Sequence, residues 1–259
     1  MKHWRTVFAA VLYRDLVMFQ RYAFNTVSGL ITLYIVFLLI FFGISKFDGG
    51  AVVSASTVES MIVGYVLWSM SIAVYSELAW SITNEAQVGT LEQLYLCPLG
   101  FGFVNACHLV SSLLTNVLFN AVLLLAAMAT TGRWLLIDLV SLTPVVLLTL
   151  GGVYGIGFAV GGLALVYKRI QGFFQIVQFI FVGFMMVPLD VVPWARWLPL
   201  AMGNELARRI MVGGQRVWHF PVGDLVTLVV TAAVYLALGV VAFRVAERVA
   251  RNRGTLGQY

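Results

Sequence analysis

The sequence predicts an all-α integral membrane protein with six transmembrane helices and both termini in the cytoplasm. Of the 259 residues, 61% are hydrophobic and only 10% are charged, whereas soluble domains carry about 25% charged residues. The apolar runs are about 20 residues long, which is the length of a membrane-spanning helix and not of a barrel strand. Basic residues are also distributed unevenly between alternate loops, as expected of a multi-pass protein.

Six apolar segments define the predicted spans, and all of them belong to one transmembrane domain, residues 1–259. An amphipathic helix within residues 1–25 precedes them, with its basic side chains towards lipid headgroups. Residues 188–223 are not predicted to cross the membrane, although they contain several Trp and Leu residues. They therefore predict a re-entrant segment of short helices in the outer interface. The predicted spans are 26–44, 58–80, 103–130, 139–166, 171–187 and 224–243.

The charge distribution sets the orientation, because Lys and Arg concentrate in short cytoplasmic loops. The short loops predicted outside contain only Lys46 and Arg133. We therefore attribute the net charge of +5 to topology and not to nucleic-acid binding. The same rule places residues 85–98 in the cytoplasm. The basic residues of the predicted cytoplasmic segments are Lys2, Arg5, Arg14, Arg21, Lys168, Arg169, Arg244, Arg248, Arg251 and Arg253.

The motifs of several enzyme classes are missing from the sequence. No lysine follows glycine in a Gly-Lys-Ser/Thr string, so the chain has no P-loop for ATP. His3, His108 and His219 are far apart, which argues against a metal site. Ser111 or Ser112 beside His108 is the one candidate for an intramembrane hydrolase, and adjacent residues on a polar helix face are weak support. We therefore predict no catalytic residue, metal or cofactor in this chain.

Polar side chains form stripes within the predicted spans. In the third span they recur at three- and four-residue spacing, and Glu77 lies about one turn from the inner end of the second span. Lipid does not tolerate so many polar groups, so the stripes face protein or a cavity. Interhelical hydrogen bonding and the wall of a substrate path both remain open interpretations. The candidate path residues are Glu77, Asn105, His108, Ser112, Asn116, Asn120, Gln171, Gln175 and Gln178.

Small residues in the fourth span predict close helix packing. Gly151 and Gly155 form one small-xxx-small pair, and Gly157 and Gly161 form another. Such pairs let two helix backbones approach closely. Asp224 lies near the start of the last span, where a carboxylate favours the helix dipole.

A polar interruption at residues 85–98 separates the second and third spans. Val88, Leu91 and Tyr95 fall on one face of a helix, and Glu85 and Glu92 fall on another. Pro98 would end this helix, because the residue before a proline is disfavoured in the helical region. The segment therefore predicts a short amphipathic helix at the cytoplasmic surface.

The string Glu-x-x-x-Gly-Thr-Leu-Glu-x-Leu, followed by Pro98, resembles the cytoplasmic coupling segment of type-2 ATP-binding-cassette (ABC) exporter permeases. The resemblance extends over essentially the whole chain: interface helix, six spans, coupling helix and outer re-entrant segment. It implies that this segment docks on a separate ATPase subunit, which binds ATP and Mg. The implied contact residues are Glu85, Gln87, Val88, Gly89, Thr90, Leu91, Glu92, Gln93, Leu94 and Pro98.

The resemblance also implies an assembly and an activity. Six spans form half of a typical transport path, so we expect two permease copies, most simply a homodimer and alternatively a heterodimer, with two ATPase subunits. The expected function is export across the prokaryotic inner membrane. The largely apolar interior with few charges favours a hydrophobic or amphipathic substrate, such as a drug or a lipid. Export of a lipid-linked polysaccharide is an alternative. An intramembrane enzyme and an ATP-independent channel are alternatives of other classes.

A Pro- and Trp-containing segment resembles the outer gate of the same family. Many relatives continue with Asn-Pro before a helix, where this chain has Asn204-Glu205. Cys97 stands where Thr often precedes the proline of the coupling segment. The implied gate residues are Pro188, Pro193, Trp194 and Trp197.

Overall fold

Helices form the regular structure of the part of the chain that the computed structural model describes. That part comprises residues 20–47, 55–88, 101–167, 171–187 and 191–252, with residues 13, 17, 18 and 189. Two 3₁₀ turns, Pro193–Trp197 and Val217–His219, accompany the α-helices. The all-α prediction is thus confirmed for the described residues. The helices are α1 (Ala23–Phe47), α2 (Ala55–Val88), α3 (Phe101–Thr131), α4 (Leu139–Tyr167), α5 (Gln171–Met186), α6 (Ala201–Met211) and α7 (Val222–Asn252).

Five of the described helices are long and apolar enough to cross a membrane, so the chain is a multi-pass membrane protein. These helices are α1, α2, α3, α4 and α7. Helix α5 is apolar but has only 16 residues. At 1.5 Å per residue it is about 24 Å long, shorter than the roughly 30 Å of a bilayer's hydrocarbon core. A sixth span at α5 and the cytoplasmic position of both termini stay predictions.

Two helices extend beyond their predicted spans. Helix α2 contains 34 residues and continues to Val88, because residues 81–88 include no Gly or Pro that would end it. Glu85, Gln87 and Val88 therefore form its last turn and do not begin a separate helix. Helix α7 continues to Asn252 through the basic tail. The predicted contact residues from Gly89 to Pro98 lie outside the described residues, as do residues 1–12, 14–16 and 19 of the predicted interface helix.

Helix α4 lies at the centre of the bundle and packs most extensively against α7, then against α2 and α6. A Cβ atom added to Gly155 would overlap the backbone carbonyl of Tyr235 in α7. A Cβ added to Gly157 would lie 3.0 Å from the carbonyl oxygen of Tyr75 in α2. One glycine of each predicted pair thus contacts a neighbouring helix backbone. A Cβ added to Gly151, in contrast, would meet nothing within 4 Å.

The segment between α5 and α7 packs against the start of α4. Asp138 caps α4 by accepting hydrogen bonds from the Ser141 hydroxyl (2.7 Å) and the Val140 amide (3.2 Å). The Ser141 oxygen in turn accepts a hydrogen bond from the Val217 amide at 3.2 Å. Helix α6 begins after Leu200, which is buried with φ at +75°. Residues 191–223 therefore form short helices held on the bundle, and their depth in a membrane stays a prediction.

A charged cluster connects α6 to the first turn of α7. Glu205 pairs with Arg208 at 2.6 Å and with Arg209 at 2.8 Å, and Arg209 also pairs with Asp224 at 3.0 Å. Burial alone would raise the pKa of Glu205, but the hydrogen bonds from both arginines outweigh burial and hold the pKa below its ordinary value. Asp224 therefore has an arginine partner in addition to its favourable position at a helix N-terminus.

Gly155→Ala should destabilise the protein, because the new methyl group must push α4 away from the α7 backbone. We expect a loss of about 1–3 kcal/mol in the free energy of unfolding. Gly151→Ala is the matched control on the same helix, and its better helix propensity should leave stability unchanged or raise it slightly. Thermal unfolding of both variants in detergent micelles tests this. Equal melting temperatures would contradict the packing of α4 on α7.

Glu205→Gln should make stability less dependent on pH in the acid range. The folded pKa of Glu205 lies below its unfolded value of about 4.3, so its ionised form stabilises the fold above that pH. This contribution is lost as the pH falls through the folded pKa. We expect Glu205→Gln to be about 1 kcal/mol less stable at pH 7 and to approach wild type near pH 3. Melting temperatures of the two proteins from pH 3 to 7 test this. A gap that stays constant with pH would rule out the ion pairs as its cause.

Candidate functional site

Buried polar side chains join α2 and α3, which run antiparallel. The Ser69 hydroxyl donates a hydrogen bond to Oδ1 of Asn120. Nδ2 of Asn120 donates to the carbonyl oxygen of Asn116 at 3.0 Å, and Nδ2 of Asn116 donates to the carbonyl oxygen of Met70 at 3.3 Å. All three polar side chains are buried. Two members of the predicted polar stripe thus make hydrogen bonds in the contact between two helices.

A carboxylate and an imidazole meet farther along the same contact. Nε2 of His108 lies 3.1 Å from Oε1 of Glu77, within hydrogen-bond distance. Eight residues separate Glu77 from Ser69, so the pair lies about 12 Å along α2 from the asparagines. The Tyr154 hydroxyl on α4 donates to the carbonyl oxygen of Leu109 at 3.1 Å. Three helices therefore converge beside the Glu77–His108 pair.

The remaining candidates for the substrate path are more scattered. Ser112 is half-buried on α3. Gln175 is exposed and Gln178 is half-buried on α5, a helix that packs against α2 and α6. The side chains of Asn105 and Gln171 lie outside the described residues. The structure thus brings together Glu77 with His108 and Asn116 with Asn120, and whether any of them lines a path stays a prediction.

Aromatic side chains of α2 make hydrogen bonds that the sequence analysis missed. The Tyr65 hydroxyl donates to the carbonyl oxygen of Leu33 in α1 at 2.6 Å. The Tyr75 hydroxyl donates to the carbonyl oxygen of Phe174 in α5 at 2.7 Å. Trp68 lies on α2 between these two tyrosines, and its indole nitrogen is 3.5 Å from the Gln178 carbonyl oxygen of α5. Tyr65, Trp68 and Tyr75 lie three and seven residues apart along α2. This spacing was a sequence signal that could have predicted contacts of α2 with two neighbouring helices.

A cavity of about 280 Å³ lies between α3 and α4, with α2 and α6 as its floor. The floor includes Leu67 and Met70 of α2, and Ala207 and Met211 of α6. Apart from Asn120, only Thr143 contributes a polar side chain to the lining. This cavity was not predictable from the sequence, because it depends on the angle between α3 and α4.

The predicted gate and contact residues occupy two different regions. Pro193, Trp194 and Trp197 form the first 3₁₀ turn, where both tryptophans are exposed. Pro188 lies outside the described residues. Glu85, Gln87 and Val88 belong to the end of α2, and their side chains are not among those described. Within the described residues, no group of three His, Cys, Asp or Glu side chains could hold a metal ion.

Comparison with known proteins does not assign the chain to a family. No family model matches it, and a search of curated proteins finds no match.

The Glu77–His108 contact should show measurable energetic coupling. We expect a double-mutant cycle of Glu77→Ala and His108→Ala to give about 1 kcal/mol, in the range measured for hydrogen bonds between membrane helices. Ser112 lies one turn from His108, so a cycle of Glu77→Ala with Ser112→Ala is the matched control and should give a value near zero. Unfolding free energies from detergent titrations provide both values. Equal coupling in the two cycles would refute a specific contact.

Proposed function

We propose that this chain is the membrane-spanning subunit of an ATP-driven ABC exporter in a prokaryotic inner membrane. It would act as a homodimer with two copies of a separate ATPase subunit, which binds ATP and Mg. The proposal rests on the coupling-like string at residues 85–98 and on the lack of a P-loop in the chain. The structural observation that carries it is the continuity of α2 up to that string.

Helix α2 is suited to transmit a displacement from its end to the interior of the bundle. It continues without a break from Ala55 to Val88, a length of about 50 Å. Of the five candidate spans, α2 has the largest buried share of its apolar stretch, 61%. Its end leads into residues 89–98, the predicted ATPase contact. A rigid helix in this position would pass movement at the cytoplasmic surface to Leu67 and Met70 at the cavity floor.

Hydrogen bonds would make neighbouring helices move with α2. Tyr65 connects it to α1, Tyr75 connects it to α5, and Ser69 connects it to α3. Helices α4 and α7 are instead joined to each other by glycine packing.

Helix α2 also packs extensively against α4, and Tyr154 of α4 is bonded to Leu109 of α3. A shift between α4–α7 and the other helices, as alternating access requires, would therefore have to slide along the α2–α4 contact. Gly157 and Tyr75 lie at this contact.

The proposed substrate is hydrophobic or amphipathic. The cavity between α3 and α4 is lined almost entirely by apolar side chains, and Glu77 is already hydrogen-bonded to His108. A strongly charged substrate would find few partners on these surfaces. Helix α1 leaves a broad apolar face open, since only 6% of its apolar window is buried. Such a face is consistent with lipid contact or with a second copy of the chain.

Purification of the tagged chain from its host membranes tests the proposal. We expect Mg-dependent ATPase activity in the purified fraction, because the ATPase subunit should remain bound. Glu92→Arg reverses a charge in the predicted contact and should reduce the associated ATPase activity at least about tenfold. Gly89→Pro should do the same by changing the local backbone. Lys168→Glu, a charge reversal in another predicted cytoplasmic turn, is the matched control and should retain the activity.

Two results would contradict the proposal. Full ATPase activity in both contact variants would exclude residues 85–98 as the docking segment. Conduction of solutes by the purified chain in liposomes, without ATP or a partner, would favour a channel.

A further inference from the structure

The cavity between α3 and α4 is referred to below as the groove. We propose that this groove binds one acyl chain of an anionic phospholipid, with the headgroup at Arg133 and Arg216. This inference concerns lipid binding by the isolated chain and holds whether or not the chain serves an ATP-driven exporter.

The shape of the groove favours an acyl chain. Its two walls repeat every four residues along facing helices, over about 12 Å of helix length. A dry apolar cavity of about 150 Å³ accepts benzene, so a volume of about 280 Å³ suits a longer, flexible hydrocarbon. The wall residues are Val117, Ala121 and Leu125 of α3, and Leu139, Thr143 and Leu147 of α4.

The polar groups of the lining are already bonded within the protein. The Thr143 hydroxyl donates to the carbonyl oxygen of Leu139 at 2.6 Å. The Asn120 amide donates to Asn116 and accepts from Ser69. The surface left to a ligand is therefore apolar, which favours a hydrocarbon chain over a sugar or a polar peptide.

Cationic and aromatic residues surround one end of the groove. Residues 132–138 connect α3 to α4 at this end and include the exposed Arg133. Arg216 is exposed and precedes Val217, whose amide is bonded to Ser141 near the start of α4. The carboxylate of Asp138 caps α4 and interacts electrostatically with Arg216. The exposed guanidinium groups are thus placed to meet a lipid phosphate.

Two tryptophans mark the same end as a membrane interface. Trp134 is 72% exposed and Trp218 is 73% exposed. Trp134 follows Arg133 directly, and Trp218 lies two residues after Arg216. Exposed tryptophans are enriched at the headgroup level of membrane proteins. A phospholipid with its phosphate at this level would place its chain along the apolar groove. The combination of groove, arginines and tryptophans therefore indicates a phospholipid.

Native mass spectrometry of the purified chain, titrated with phosphatidylglycerol or phosphatidylcholine, tests this proposal. We expect wild type to retain phosphatidylglycerol about tenfold more tightly than phosphatidylcholine. Ala121→Phe fills the groove and should weaken phosphatidylglycerol binding at least about tenfold. Ala237→Phe is the matched control, because Ala237 is exposed on α7, and it should bind as wild type does. Leu125→Phe is a second groove-filling variant in case Ala121→Phe does not fold.

The headgroup is tested separately by the double variant Arg133→Gln with Arg216→Gln. It should lose the preference for phosphatidylglycerol and keep the binding of phosphatidylcholine. Wild-type affinity in the folded groove-filling variants would overturn the proposal, as would a change in oligomeric mass without a change in bound lipid. Equal wild-type affinity for the two lipids would overturn the assignment of the arginines. Because these measurements need no ATP or partner, their failure is distinct from failure of the ATPase test.

Discussion

The close approach of α4 to α7 is the contact on which the rest of the bundle depends. Lipid tails are as apolar as leucine, so membrane helices gain little from hydrophobic burial and associate through packing and hydrogen bonds. Gly155 brings the two backbones together on one side of α4, while Gly157 meets α2 on another. With these sides and the α6 contact occupied, the side of α4 that contains Thr143 is left towards α3. The groove between α3 and α4 therefore forms on the side of α4 that α7, α2 and α6 leave open.

Helix α2 is held by hydrogen bonds in addition to its packing on α4 at Gly157. Its tyrosine hydroxyls reach carbonyl oxygens of α1 and α5, which already accept bonds within their own helices but keep a second lone pair. Ser69 binds α3 through Asn120. Such directional bonds can keep the same helices together while the whole group moves, because they do not require the broad surface match of glycine packing.

Local sequence signals predicted much of the helical framework. Hydropathy predicted six spans, and five of the described helices are long and apolar enough to be spans. The glycine pairs predicted close approach but not which partner, and the structure assigns Gly155 to α7 and Gly157 to α2. The partner of Glu77 was not predictable, because His108 reaches it only through the antiparallel register of α2 and α3. The groove escaped prediction for a similar reason, since its volume depends on the angles between helices.

The groove shares residues with α2, the helix proposed to transmit movement, and this has a thermodynamic consequence. Leu67 and Met70 form part of the groove floor and belong to α2, the helix that leads towards residues 89–98. A displacement of α2 would change the shape of the floor, so a lipid chain in the groove would bind the two positions of α2 with different affinities. Linkage is reciprocal: the bound lipid would then shift the balance between the two positions by the same free energy. A lipid in this groove would thus bias the conformation of the bundle even without being transported.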